Sequence, residues 1–140
     1  MTSQFTDISA ALDVNLNVYA AANSVSVAWE NIDFTPTAGT LFVRPTLLPA
    51  DSVQSGLGST GIDNNLGVYQ IDVISPLDKG KFAATSNADL IGQQFKRGTI
   101  LTYNGLTVTL SKTSRGSGIR DGGWFIIPVF VTYQSFTQPR

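Results

Sequence analysis

At 140 residues, 42% apolar and with a formal net charge of −1, the chain has the material for one domain (1–140) with a real core, and it lacks the strong positive charge of most nucleic-acid-binding domains. It contains no cysteine and no histidine, which removes disulfides, thiolate ligands, the commonest general base and the commonest metal ligand. No apolar run approaches the ~18 residues of a membrane helix, and the first residues lack the basic and apolar regions of a signal peptide, so no membrane partner is expected.

Phe5, Ile8, Leu12, Leu16 and Tyr19 recur at helical spacing and predict a helix over Gln4–Ala21. Ser3 or Thr6 is placed to cap it, Asp7 suits its positive end, and Asp13, Asn15 and Asn17 form the expected polar face. Ser24–Trp29 reads as a short strand with Val25, Val27 and Trp29 on one side. Glu30–Pro36 reads as an ordered turn anchored by Ile32 and Phe34, because a plain connector seldom carries such large apolar side chains. Thr40–Leu48 is the next strand, and Pro45 argues that it lies at an edge or carries a bulge.

Pro49–Leu66 has no periodicity and reads as a long functional or pliable loop. Within it Gly56-Leu57-Gly58-Ser59-Thr60-Gly61 matches G-x-G-x-x-G, but a dinucleotide site needs that motif between a strand and a helix, and here a strand follows. In Gly67–Pro76, Tyr69, Ile71 and Val73 alternate with Gln70 and Asp72, the period of a strand with one buried face. A polar turn at Asp78–Lys81 leads to a second helix with the stripe Ala84, Ala88, Ile91 and Phe95, and Gly98 stands where a helix-ending residue belongs.

Thr99–Tyr103 and Leu106–Leu110 flank Asn104-Gly105, the strongest short hairpin signal. Ser111–Gly123 reads as a second loop, made basic by Lys112, Arg115 and Arg120. Trp124–Tyr133 is the most apolar strand, with large side chains on both faces, although Pro128 favours an edge or a bulge. Gln134–Arg140 reads as a polar tail. The expected fold is α+β: a mixed, mainly antiparallel sheet of about five to six strands with two helices packed on it and two long loops.

No reactive constellation emerges. Asp33, Asp72, Asp78 and Asp121 share no metal-ligand spacing, and Asp72 on a strand's polar face suits a salt bridge better than acid–base work. No cofactor and no metal are expected. Trp29 and Trp124 read as core or interface anchors. The charge is balanced but uneven: residues 1–78 hold eight acids and one base, −7, and residues 79–140 hold eight bases and two acids, +6. Either the halves occupy different surfaces, which suits head-to-tail self-association, or they interleave and cancel.

The order of elements, with Val27–Pro36, Arg44–Pro49, Gly67–Val73, Gly80, Ala88-Asp89, Phe95 and Asp121–Trp124, resembles the tail terminator (tail completion) proteins of long, non-contractile-tailed, lambda-like phages. The resemblance covers almost the whole chain and its motifs are structural. It implies a non-enzymatic virion protein that assembles in the host cytoplasm as a ring, typically a hexamer, at the head-proximal end of the tail. The implied partners are further copies of itself, the tail tube protein and a head-completion or connector protein, with DNA passing through the lumen without specific binding. Candidate interface residues are Arg44, Lys79, Lys81, Lys112, Arg115, Arg120, Asp51 and Asp63. A neighbouring head–tail connector or minor tail protein is the alternative, and a nucleic-acid module using the basic segment 111–123 a more distant one.

Overall fold

A strand must find a ladder partner, and the longest apolar strand finds the strand with the clearest alternation. In the computed structural model, which describes residues 4–36, 39–50, 53–54, 63–77 and 81–137, β4 (Asp63–Pro76) and β8 (Trp124–Thr137) pair antiparallel along their whole length, from Asp63 opposite Thr137 to Pro76 opposite Trp124. Around them lie β1 (Ser26–Val27), β2 (Phe42–Pro49), β5 (Ile100–Tyr103) and β6 (Leu106–Arg115), in the order β1-β2-β4-β8-β6-β5. Short β3 (Val53–Gln54) pairs with β4, and β7 (Ile119–Asp121) with β8. Only β1–β2 is parallel, so the expected mixed, mainly antiparallel α+β sheet is what forms.

Two helices cover one face of the sheet. α1 (Gln4–Asn23) sets Ile8, Leu12, Leu16 and Tyr19 against it, each no more than 2% exposed. At roughly 1.5–3 kcal/mol per buried large apolar side chain, this stripe holds the helix down. α2 (Phe82–Gln94) buries Ala84, Ala88 and Ile91, and the Phe95 ring lies 5.8 Å from Tyr69. From below, Tyr69, Ile71, Val73, Val129, Val131 and Tyr133 complete the core. On the uncovered face Phe42, Ile74 and Ala28 form a small second cluster, with the Phe34 ring tilted against Phe42 at 4.8 Å and Trp124 edge-on to it at 5.4 Å.

Several expectations are corrected. Asn15 is buried and exchanges hydrogen bonds with Gln94, its Nδ2 donating to the carbonyl at 3.0 Å and its Oδ1 accepting from Nε2 at 2.6 Å. Asp13 Oδ1 accepts a hydrogen bond from the Tyr69 hydroxyl. The polar flank of α1 is thus drawn inward by α2 and the sheet, leaving Asn17 exposed beside Val14 and Val18. Asp7 is also buried, with Oδ1 accepting from Asn104 Nδ2 at 3.3 Å. Phe34 does anchor its turn, but Ile32, which follows Asn31 at a positive φ of 56°, is 64% exposed.

Ser111–Gly123 is not one loop. β6 continues past a bulge at Leu110/Lys112 to Arg115, and β7 then forms a hairpin with β8. The segment is polar, so periodicity does not reveal it, yet β8 offers it a ladder. β4 likewise begins at Asp63, inside the segment read as loop, and β8 runs to Thr137, inside the segment read as tail. Pro128 sits in a central strand, not at an edge. Its carbonyl accepts from Gly116 N–H at 2.9 Å, so its nitrogen faces the 116–118 gap between β6 and β7, where no ladder donor is missed. α2 ends at Gln94, and Gly98 instead supplies the positive φ, 89°, of the following turn. Asn104 and Gly105, with φ of 50° and 79°, form the expected hairpin turn. Residues 56–61, Asp51, Asp78 and Lys79 lie outside the described residues.

Candidate functional site

The sheet ends in two different edges. Ala28 N–H donates to the Val43 carbonyl at 2.8 Å, so Val43 faces outward from β2, and by alternation Pro45, Leu47 and Pro49 do too. Two of these have no N–H, and the third donates its N–H to Glu30 Oε1 at 2.7 Å. The edge offers no free donor beyond Val43 and cannot take an added strand by main-chain pairing. Neither Glu30's part nor this sealing is singled out by periodicity. The available signal was the spacing of Pro45 and Pro49, four apart and therefore on the same side of one strand.

Beside this edge lies a groove of about 760 Å³ between α1 (Asp13, Val14, Asn17), the turn (Trp29, Glu30, Ile32) and β2 (Leu47, Pro49). Its walls are apolar and its charges acidic, and Val14 and Ile32 are 54% and 64% exposed. Burial holds the Asp13 carboxyl above its ordinary range; the Tyr69 hydrogen bond pulls the other way, and Glu30's charge adds to the rise.

The opposite edge is bare. Leu110 N–H donates to the Thr99 carbonyl at 2.9 Å, so Thr99, Leu101 and Tyr103 face β6 while Ile100 and Thr102 face outward. Lys96 and Arg97 are exposed in a turn closed by Thr99 N–H on the Lys96 carbonyl at 3.1 Å. Both are residues that the sequence left unassigned. The helix-free face is the third surface: Leu48 and Phe136 are 46% and 54% exposed there, and Val68 and Phe130 half-buried.

The expected interface residues do not gather at one place. Arg44 lies on the helix-free face, paired with Asp72 at 3.1 Å. Lys112 lies on that face as well, exposed at the β6 bulge. Arg115 reaches Asp89 on α2 at 3.3 Å. Lys81 is exposed just before α2, and Arg120 is exposed on β7. Asp63 opens β4, its backbone opposite Gln54 and Thr137. Among the described residues no three His, Cys, Asp or Glu side chains converge as metal ligands, and no helix is long and apolar enough to cross a membrane.

The fold is thus a helix-backed sheet with one sealed edge, one bare edge and a half-apolar open face. The chain belongs to the phage tail terminator protein family, whose profile matches residues 7–133. It is therefore a phage tail structural protein. Two solved structures share the fold. One is 24% identical, with 100% of each chain covered and a TM-score of 0.79. The other, from the virion of a native gene transfer agent particle, is 16% identical, with 99% of each chain covered and a TM-score of 0.64. No curated protein matches the chain.

Proposed function

We propose that copies of this chain close into a ring of six on the last ring of the tail tube, at its head-proximal end. The ring stops tube polymerisation and presents a docking surface to a head-completion or connector protein. The observation that carries this reading is the family match over residues 7–133. The mechanism is steric. One surface complements the growing tube, and the other lacks what a further tube subunit needs. Arg44, Lys79, Lys81, Lys112, Arg115, Arg120, Asp51 and Asp63 remain the proposed contacts with tube, neighbour or connector. DNA passes through the lumen, and no bond is made or broken.

The test is genetic and structural. Particles made without this protein, imaged by negative stain, should carry overlong tails. Normal-length tails without heads would assign the chain to the connector instead. Native mass spectrometry of the purified protein with tail tubes should detect rings, and a strict monomer both alone and on tubes would defeat the ring.

A further inference from the structure

The two edges of the sheet differ in charge as well as in hydrogen bonding. Every described strand of residues 1–78, the −7 half, lies on the β1-β2-β4 side, and every described strand of residues 79–140, the +6 half, lies on the β8-β6-β5 side. Neither described ion pair joins the halves: Arg44–Asp72 lies within the first and Arg115–Asp89 within the second. Among the strands, therefore, the polarity seen along the chain persists across the sheet, while α1 of the first half crosses over to β5 and β6, where Asp7 accepts from Asn104.

The register aligns the two ends. Pro49 pairs with Gly67, Gly67 with Tyr133 and Tyr133 with Leu110, whose N–H reaches Thr99. One end of this cross-strand row is the acidic apolar groove holding Glu30 and Asp13. The other is the turn carrying Lys96 and Arg97, next to Ile100, which is 64% exposed. Arg44, the one base of the first half, is engaged on the helix-free face, so no base of that half compensates the groove.

Resting on the ring reading above, we infer that neighbouring copies meet through these two ends: Lys96, Arg97 and Ile100 of one copy enter the Asp13–Glu30 groove of the next. Opposite ends of one row produce a head-to-tail contact, and repeated rotation closes it. Along β2 the contact is made by side chains, because Pro45, Leu47 and Pro49 offer no free N–H to a strand from the neighbour.

The chain's lack of cysteine allows a direct test. Asn17→Cys marks the groove and Thr102→Cys the β5 edge, both at exposed positions. With a short bismaleimide and tail tubes present, the double variant should give a covalent ladder ending at the ring. The two single variants mixed should give only dimers, and neither alone should crosslink. Adding Lys96→Glu and Arg97→Glu should cut the yield roughly tenfold or more, because like charges would face each other. Ile32→Lys in the groove should restore it, which separates lost complementarity from misfolding. Rings without a ladder, or single variants that crosslink with themselves, overturn this contact and leave the ring standing; no ring even on tubes overturns both.

Discussion

Gly67 faces Tyr133 across the central β4–β8 ladder, and the tyrosine ring lies over the space where a side chain would begin. A Cβ at position 67 would stand 2.4 Å from Oη, 2.7 Å from Cζ and 2.8 Å from Cε2 of Tyr133. The ring is fully buried, so it has nowhere to yield without disturbing the core around it. Overpacking of this kind costs about 1–3 kcal/mol. Gly67 has no left-handed φ, so alanine suits the backbone and returns about 0.5–1 kcal/mol by restricting the unfolded chain. Gly67→Ala should therefore destabilise by about 1–2 kcal/mol. In a Tyr133→Leu background the clash is gone, and the same substitution should stabilise by about 0.5–1 kcal/mol, a coupling of about 2 kcal/mol. Urea unfolding followed by the fluorescence of Trp29 and Trp124 measures all four corners of the cycle. An equal cost in both backgrounds would falsify the argument.

Asp13 gives a pH signature. Its folded carboxyl is held above its ordinary 3.8 chiefly by burial, so the folded protein keeps a proton that the unfolded chain releases. That contribution is present below pH 3.8 and is lost as the pH rises through the folded value, so wild type should lose stability relative to Asp13→Asn as urea midpoints are taken from about pH 4 to pH 7. At alkaline pH, burial pushes Tyr19 up to about 12 and raises Tyr69 and Tyr133 as well. The Tyr19 contribution is complete below pH 10 and is lost upward through about pH 12, so ionisation of its phenol, followed at the phenolate band, should rise together with unfolding. Ile91→Ala, which empties a fully buried site between α2 and the sheet, should cost about 2–5 kcal/mol by the same urea assay. Arg44→Met should change stability by no more than about 1 kcal/mol, because the Arg44 side chain is half-exposed and Gln70 Nε2 still donates to Asp72 at 2.9 Å.

What the sequence by itself determined was local. Tyr69, Ile71 and Val73 announce a strand because side chains alternate across a pleat, and Ile8, Leu12, Leu16 and Tyr19 announce a helix because they share one stripe. Asn104-Gly105 announces a hairpin because both positions tolerate positive φ. The tertiary structure decided what depends on a distant partner. Ser111–Arg115 is a strand because β8 supplies its ladder, and Asn15 is buried because Gln94, far away in the chain, satisfies its amide. Pro128 is tolerated in a central strand because its neighbour is interrupted there. The same holds for the proposed assembly ends. Charge counting showed two unlike halves, but only strand order and register could set Glu30 and Arg97 at opposite ends of one row, because pairing across a sheet is fixed by hydrogen bonds between residues that spacing along the chain does not relate.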